Sequence, residues 1–315
     1  MTRANRRLAG RQTAAGANPA TSAIANTITV VEESSRYVKA PVEESTVESA
    51  RRIAALIRQT VIEQSKRANV GHIGSALSIA ELLSALYAGP LAGGLPDDPD
   101  RNRLVLSKGH AALALYGALY ASGQLSDEQL DSFCGDGTEL AGHPEHLLAG
   151  VDFSTGSLGH GLSLATGAAL AARLQGSLRR VYALLSDAEC NEGSTWEAAM
   201  FAAHHRLANL TAVIDVNGQQ ALGYTKDVLD LEPLGERWRS FGWDVHDLDG
   251  HDLDALTQTL ASLEADEGRT PHVILARTTF GKGVSFMESR IEWHYLPMSD
   301  DEYGIARGEL QGSAP

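Results

Sequence analysis

The chain has 315 residues, of which 43% are hydrophobic and 21% are charged, a composition typical of one large globular domain or two small ones. Its longest apolar runs are far shorter than the ~20 residues of a membrane-spanning helix, and no signal peptide is recognisable. The net charge of −14 would repel a nucleic acid backbone, and two cysteines are too few for a disulfide framework. We therefore expect a cytoplasmic protein that binds neither nucleic acid nor a membrane.

The N-terminal segment differs in charge from the rest of the chain. Residues 1–31 contain four arginines and no acidic residue, in a stretch rich in Ala, Thr and Asn. We predict a disordered or extended tail over residues 1–44, with a short extended patch at Thr27–Val31. An organelle transit peptide, which is also rich in arginine and poor in acids, is the alternative.

Helical and strand patterns begin near Ser45. Ser45 and Glu48 have the spacing of a capping box ahead of an amphipathic helix, and Ser78 and Glu81 repeat that spacing ahead of a second, more apolar helix. The next elements predicted, in chain order, are a strand at 103–106, helices at 111–120, 126–133 and 162–174, a strand at 181–185, a helix at 196–207, a strand at 211–216, a helix at 253–264 and a strand at 272–278.

The alternation of short β-branched strands with helices indicates the fold class. It is typical of an α/β fold with a doubly wound parallel sheet flanked by helices. We expect this domain to span residues 45–297, followed by a polar C-terminal tail at 298–315.

Two polar residues follow neighbouring predicted strands. Asp187 ends the strand that begins at Val181, and Asn217 comes thirty residues later, after one helix and the next strand. A crossover connection brings both residues to the same edge of the sheet, where ligands bind in open α/β folds. Their carboxylate and amide oxygens suit Mg²⁺. The alternative is that Asp187 caps a helix and Asn217 begins a turn.

Glycine loops and histidines complete the polar pattern. The loop Thr155–Gly161 resembles a glycine-rich turn that opens a helix and receives a phosphate oxygen on its amides. His72, His110, His143 and His294 all lie in or beside loops. Together they could form a pocket that binds hydroxyl groups and moves protons near neutral pH, although each alone is as typical of a surface position. Zinc is less favoured, since no two histidines have the spacing of a helical metal-binding pair.

Seven segments, in order from about residue 46 to about residue 296, resemble those of the transketolase family. They are Gly71–Gly74, Arg103–His110, Gly142–Glu145, Thr155–Gly161, Ser186–Gly193, Asp215–Asn217 and Lys282–Glu288. The resemblance implies a thiamine diphosphate-binding fold, with this chain as its diphosphate domain. It also implies an enzyme that transfers a two-carbon ketol unit from a ketose donor to an aldose acceptor, both sugar or sugar-phosphate-like.

The resemblance further implies the roles of individual residues. Mg²⁺, for which Ca²⁺ or Mn²⁺ can substitute, would be held by Asp187, Asn217 and the backbone carbonyl of Gln219. Thiamine diphosphate would be bound at Gly156, Leu158, Gly159, Ser186, Asp187, Ala188, Glu189, Asn217, His72 and His294. The four histidines would handle substrate hydroxyl groups as catalytic residues, and Glu192 matches an acid in a hydrogen-bond network between cofactor sites.

Two departures from the family pattern qualify these expectations. The family's Gly-Asp-Gly is here Ser186-Asp187-Ala188, which adds side chains where glycine lets the backbone approach the diphosphate. The chain also lacks the family's second and third domains, so it resembles the N-terminal subunit of a split transketolase that needs a C-terminal-half subunit in a heterodimer or heterotetramer. The alternatives are a cofactor-deficient structural or regulatory subunit, or an enzyme similar to deoxyxylulose phosphate synthase or to the 2-oxoacid decarboxylases.

Overall fold

A computed structural model describes residues 45–312 of the chain. The predictions made for residues 1–44, including the extended patch at Thr27–Val31, lie outside these residues. Strands in the described part, in chain order, are β1 (Arg103–Leu106), β2 (Val181–Ser186), β3 (Leu210–Val216), β4 (Gln219–Gln220), β5 (Gly223–Tyr224), β6 (Asp244–Asp249) and β7 (His272–Arg277). Of these, β4 and β5 form a small antiparallel hairpin, and the other five form one parallel sheet in the order β1-β2-β3-β7-β6.

Helices cover both faces of the parallel sheet. They are α1 (Thr46–Ala68), α2 (Ile73–Ser78), α3 (Ala80–Ala88), α4 (Ala112–Ala121), α5 (Asp127–Asp131), α6 (Gly161–Leu174), α7 (Gly193–His204), α8 (Thr225–Val228), α9 (Leu234–Ser240), α10 (Leu253–Glu264) and α11 (Asp300–Gly312). Within residues 45–312, short 3₁₀ turns lie at Gly109–Ala111, Ala188–Asn191 and Ile291–His294. None of the helices between residues 45 and 312 is long and apolar enough to cross a membrane.

The two faces of the sheet bury separate aliphatic clusters. Tyr182 and Leu184 of β2 pack among α1, α3, α4 and α10, whereas Ala183 and Leu185 of the same strand pack among α6, α7 and α9. Every residue of β2 is buried, which is why the strand is a continuous apolar run rather than an alternating one. The predicted doubly wound α/β fold is therefore confirmed.

Of the two predicted capping boxes, the first forms only its Ser45 side-chain cap and the second is wrong. The Ser45 hydroxyl accepts the Glu48 backbone N–H at 3.3 Å, as expected at the start of α1. The Ser78 hydroxyl instead donates to the Asp215 carboxylate at 2.7 Å, and no side chain caps α3, which begins after Ile79. Burying the Asp215 carboxylate without hydrogen-bond donors would cost more free energy than leaving a helix end without a side-chain cap. The Ser78 hydroxyl therefore pairs with Asp215.

Several elements have no counterpart in the predicted series, namely the short α2, α8, α9, β4 and β5 and the longer β6 and α11. Strand β6 has three aspartates and no fully buried residue, so it shows no apolar alternation. The polar tail after residue 297 contains α11, whose buried Ala306 packs against the cluster that includes α1. Neither β6 nor α11 has the long apolar stripe on which periodicity analysis depends.

Candidate active site

Asp187 and Asn217 lie side by side at the carboxyl ends of β2 and β3. The Gly218 N–H, next to Asn217, donates to Asp187 Oδ2 at 2.8 Å, and the Asp187 N–H donates to the Asp215 carbonyl at 3.1 Å. Both side chains line a cavity of about 260 Å³, which also contacts Asn191. The parallel register of the two strands thus brings together the residues that the sequence places thirty positions apart.

The Asp187 carboxyl lies in a site that disfavours its charged form. Burial, and next the negative charge of Asp215, raise the pKa of Asp187 to about 7, even though Gly218 and Ala188 donate backbone hydrogen bonds to it. A cation beside the carboxylate would offset both effects, and the oxygen donors at this site fit Mg²⁺. Asp187 also caps the turn that begins at Ala188, as the alternative interpretation expected. A carboxylate has enough lone pairs to cap the turn and to bind a cation at the same time.

A buried ion pair stands behind this cavity. Lys108 and Asp215 are fully buried, with Lys108 Nζ 2.5 Å from Asp215 Oδ2. Asp215 also accepts hydrogen bonds from the hydroxyls of Ser78 and Thr278. Asn217 Nδ2 donates to Asp215 Oδ2 at 2.8 Å, which fixes the orientation of the Asn217 amide. The sequence predicted no role for Lys108 or Asp215, although both lie in the segments that carry the family resemblance.

Gln219, the third expected metal ligand, begins the hairpin that follows Asn217. Its backbone N–H donates to Asn217 Oδ1 at 2.9 Å. Its side chain is 4% exposed, and its Oε1 atom has no hydrogen-bond partner within residues 45–312. Gln219 is thus buried two residues after Asn217, but it is not among the residues that line the Asp187 cavity.

The glycine loop before α6 is shaped by Glu189. Gly159 has φ of 87°, and a Cβ there would lie 2.7 Å from Glu192 Cβ, so only glycine fits. The Gly159 N–H donates to Glu189 Oε1 at 2.7 Å, so this amide is already paired within the chain. Glu189 is fully buried under the loop, and burial raises the pKa of its carboxyl. Phosphate binding would thus rely on other amides of the loop.

The remaining predicted cofactor positions lie along the same edge. Ser186 is buried at the end of β2, where its hydroxyl accepts the Glu189 N–H at 3.2 Å, so its added side chain is used within the fold. Ala188 and Leu158 are half-buried. A Cβ on Gly156 would lie 3.1 Å from His143 Cδ2, so glycine at this position lets the His143 ring pack on the loop.

Three of the four predicted histidines form one cluster. The ring centroids of His72, His110 and His294 lie 5.3–5.4 Å apart in each pair. Ser75 Oγ is 2.8 Å from His110 Nε2, and the His72 N–H donates to the His294 carbonyl at 3.2 Å. The fourth, His143, is exposed on the loop that carries Gly142.

Two glycines allow this close packing. A Cβ on Gly71 would lie 2.3 Å from the Tyr295 carbonyl oxygen, and one on Gly74 would lie 2.1 Å from a ring carbon of Phe280. These positions hold α2 against the segment that carries His294. The sequence shows the two glycines in the segment Gly71–Gly74. It does not show that they pack against Phe280 and Tyr295, which lie more than 200 residues later in the chain.

The three clustered histidines all have lowered pKa values. Burial is the first cause that lowers the pKa of His72, of His110 and of His294, the last to about 4. Repulsion from Lys108 and from the neighbouring imidazoles lowers these pKa values further, with His143 acting on His72 and His110. The rings are therefore neutral at pH 7 and able to accept or donate a proton.

Some hydrogen-bonding atoms of the histidine cluster have no partner within residues 45–312. A series of contacts also connects the cluster to the cavity beside Asp187. The Nδ1 atoms of His72 and His294 are buried and have no partner within the described residues. Ser75, which contacts His110 through its hydroxyl, accepts a hydrogen bond from Lys108 Nζ on its carbonyl at 3.2 Å. Through Lys108 and Asp215 the contacts reach Asn217. Glu192 lies apart from this chain, exposed at the start of α7 beside Gly159.

Residues 49–313 match the family model described as transketolase, thiamine diphosphate binding domain. The chain is 39% identical over 267 residues to one of the subunits of an apulose-4-phosphate transketolase from Actinobacillus succinogenes, with 84% of this chain and 96% of that protein covered. It is 40% identical over 261 residues to a 6-deoxy-6-sulfo-D-fructose transketolase subunit of a Clostridium species, with 82% and 94% covered.

Solved structures give the same result. A transketolase from Campylobacter jejuni superposes with a TM-score of 0.77 at 29% identity, over 85% of this chain and 43% of that one. The chain thus spans less than half the length of this one-chain relative but nearly the whole length of the two separate subunits. The expected resemblance to the N-terminal subunit of a split enzyme is confirmed.

Proposed function

Because the chain belongs to the transketolase family of transferases, we propose that it is the cofactor-binding subunit of a two-chain enzyme. This enzyme depends on Mg²⁺ and thiamine diphosphate and transfers a two-carbon ketol unit from a ketose to an aldose. Its two cysteines in the described region, Cys134 and Cys190, are unpaired, which fits a reducing cytoplasm.

One observation carries this proposal: neutral histidines and the buried Asp187 carboxylate are joined by a continuous series of contacts. The cluster of His72, His110 and His294 supplies groups that pair with hydroxyls and exchange protons. The contacts through Lys108 and Asp215 hold that cluster in fixed relation to the Asp187 cavity. Simple decarboxylation of a 2-oxoacid does not need several hydroxyl-binding groups, whereas ketol transfer between sugars does.

In the proposed complex, Asp187, Asn217 and the Gln219 carbonyl would hold Mg²⁺, which would supply positive charge for binding the diphosphate. Thiamine diphosphate, when bound, supplies the carbanion chemistry that breaks and forms the carbon–carbon bond. Asp215 orients Asn217 through its amide nitrogen, so that the amide oxygen faces away from Asp215. Glu189 keeps the glycine loop in the shape that lets it lie close to the diphosphate.

The histidines carry the proton and hydroxyl chemistry of the proposal. His72 and His294 offer buried Nδ1 atoms that would pair with hydroxyls of donor or acceptor. His110 is held by Ser75 and, being neutral, would take or return a proton at a substrate oxygen. His294 is buried and His72 and His110 are half-buried, so solvent only partly screens these hydrogen bonds.

The second subunit in this proposal supplies the rest of the active site. The similar proteins from Actinobacillus and Clostridium are named as subunits, and one-chain transketolases are more than twice as long as the matching region. Exposed Glu192, beside the glycine loop, would face that partner. A heterodimer or heterotetramer is the expected assembly, and sugars or sugar phosphates are the expected substrates.

Reconstitution tests this function. The complex purified from its source is assayed for two-carbon transfer from a ketose phosphate to a panel of aldose phosphates, and each separated chain is assayed in the same way. We expect transfer only with both chains, Mg²⁺ and thiamine diphosphate. A complex that retains no thiamine diphosphate would identify a structural subunit instead, and one that consumes a 2-oxoacid without an acceptor would identify a decarboxylase.

A further inference from the structure

A second polar group lies at the opposite end of the sheet, where β6 and β7 begin. Asp244 and His246 are on β6, and His272, the first residue of β7, pairs with Asp244 in the strand register. His246 Nε2 is 3.4 Å from Asp244 Oδ2, and His272 Nδ1 is 3.6 Å from the same oxygen. One ligand atom from each residue lies within 4.8 Å of the other two.

Two nitrogens in this group are buried without partners. His272 is 3% exposed, and neither its Nδ1 nor Nε2 of His246 has a hydrogen-bond partner within residues 45–312. Leaving such atoms unpaired is costly. Nε2 of His272 lies 3.0 Å from Asp266 Oδ2, and this contact places the proton on Nε2. Nδ1 therefore presents its lone pair to the space shared with Asp244 and His246.

We propose that Asp244, His246 and His272 bind a divalent transition-metal ion, for which Zn²⁺ is the best match. Two imidazole nitrogens and one carboxylate oxygen are a typical zinc donor set, with water in the fourth position. Tetrahedral bonds of ~2.0–2.1 Å place ligand atoms roughly 3.3 Å apart, close to the two distances from Asp244 Oδ2. Asp266 plays the part of the outer carboxylate that orients a metal-binding histidine.

The position of the His246 ring supports the same assignment. Its side chain is 28% exposed, but its Nε2 atom is buried and lies on the side of Asp244 and His272. Facing this ring are Asp244 on its own strand, His272 on β7 and Asp266 beyond α10.

The ion would act on the sheet rather than on the reaction. Within residues 45–312, β6 is an edge strand with three aspartates and no fully buried residue. A metal shared between β6 and β7 would fasten this edge strand to the buried β7. A ligand that binds only the folded state raises thermal stability with the logarithm of its concentration relative to Kd.

The test is a metal titration of the full-length protein in its native complex, without a polyhistidine tag and with Mg²⁺ in excess. Zn²⁺ binding is followed by calorimetry, Co²⁺ binding by the visible absorption of tetrahedral cobalt, and stability by the melting temperature. We expect one Zn²⁺ per chain, a cobalt spectrum and a higher melting temperature.

Variants decide where the ion binds. His246→Ala is the principal change, since its side chain is 28% exposed and the fold should tolerate it. It should abolish all three signals, whereas Asp266→Asn should weaken Zn²⁺ binding about 10–100-fold. His204→Ala, at an exposed histidine on α7, is the matched control and should change nothing.

Three results would overturn the proposal. The first is the absence of a Zn²⁺ equivalent in the native complex. The second is full Zn²⁺ binding by His246→Ala. The third is loss of that binding in His110→Ala, which would assign the ion to the histidine cluster of the candidate active site. None of these outcomes bears on cofactor binding, which is measured separately as thiamine diphosphate content.

Discussion

The two ends of the parallel sheet gather charged and titratable side chains in different ways. At the carboxyl ends, Lys108, Asp215 and Asn217 satisfy one another through buried hydrogen bonds. At the amino ends of β6 and β7, nitrogens of His246 and His272 are left without partners. Within the described residues both ends contain unpartnered atoms, but the donor types differ. Carboxylate and amide oxygens suit a hard cation, whereas two imidazoles and a carboxylate suit a softer metal ion.

The largest expected effect is that of Asp187→Asn on cofactor binding. The change keeps the size of the side chain but removes the charge that would face Mg²⁺, so retention of thiamine diphosphate with Mg²⁺ should fall by more than a hundredfold. The measurement is cofactor content after gel filtration of the complex, with circular dichroism as the check on folding. Asp227→Asn, at an exposed acid on α8, should retain the cofactor. If Zn²⁺ binding at the amino end fell as well, the two sites would not be independent.

The buried ion pair gives the next largest effect. Lys108→Met leaves Asp215 buried without its counter-ion, which should lower the free energy of unfolding by about 3–5 kcal/mol. Denaturant unfolding measures this loss. Lys282→Met is the control, because the Lys282–Glu288 pair is partly exposed at 3.7 Å and worth at most ~1 kcal/mol. Equal losses in the two variants would contradict a special role for the buried network.

His110→Ala should separate chemistry from binding. Proton transfer by a positioned side chain contributes roughly 10²–10⁴-fold to a rate, so kcat should fall by at least about a hundredfold. Because His110 contacts Ser75 rather than the Asp187 cavity, cofactor affinity should change much less. Steady-state kinetics and cofactor titration of the same variant give both numbers. Matching losses in the two would make His110 a structural residue.

The smallest effect is a pH dependence of stability. The pKa of His294 is about 4 in the folded protein, below its ordinary value of 6.5, so the unfolded chain binds more protons between these values. The contribution of the neutral His294 to the free energy of unfolding is fully present above pH 6.5. It is lost as the pH falls toward 4, and about 1–2 kcal/mol of it is gone at pH 5. His294→Asn cannot titrate, so it should lose that much less than the unaltered protein between pH 7 and pH 5. Denaturant midpoints of both proteins at the two pH values measure the difference, and identical pH dependence would contradict the burial of a neutral His294.

Much of the fold was predictable because its strands are apolar. Strands β1, β2, β3 and β7 are short aliphatic runs between helices, and this pattern places their carboxyl ends, Asp187 and Asn217 at one edge. Strand β6 was missed because it is an edge strand rich in aspartate. Its sequence shows neither the two-residue apolar period of a strand nor the 3.6-residue period of a helix. Helix α11 was missed for a similar reason, since Ala306 is its one buried residue.

The contacts within the candidate site were less predictable. The Lys108–Asp215 pair joins residues 107 positions apart, and neither residue type is expected in a core. The hydroxyl of Ser78 matches a helix cap in sequence but serves Asp215 in the fold. The Asp244–His246–His272 group depends on strand register between β6 and β7, which no local pattern reveals. Composition and spacing predict which residues are polar and near strand ends, and only packing determines which of them meet.

The most direct test of the central claim is the native mass of the protein purified from its source with Mg²⁺ and thiamine diphosphate present. If the carboxyl end of this sheet is half of a split active site, the chain will be found with a second subunit, and the assembly will carry bound thiamine diphosphate. A homo-oligomer that carries no thiamine diphosphate would contradict that account.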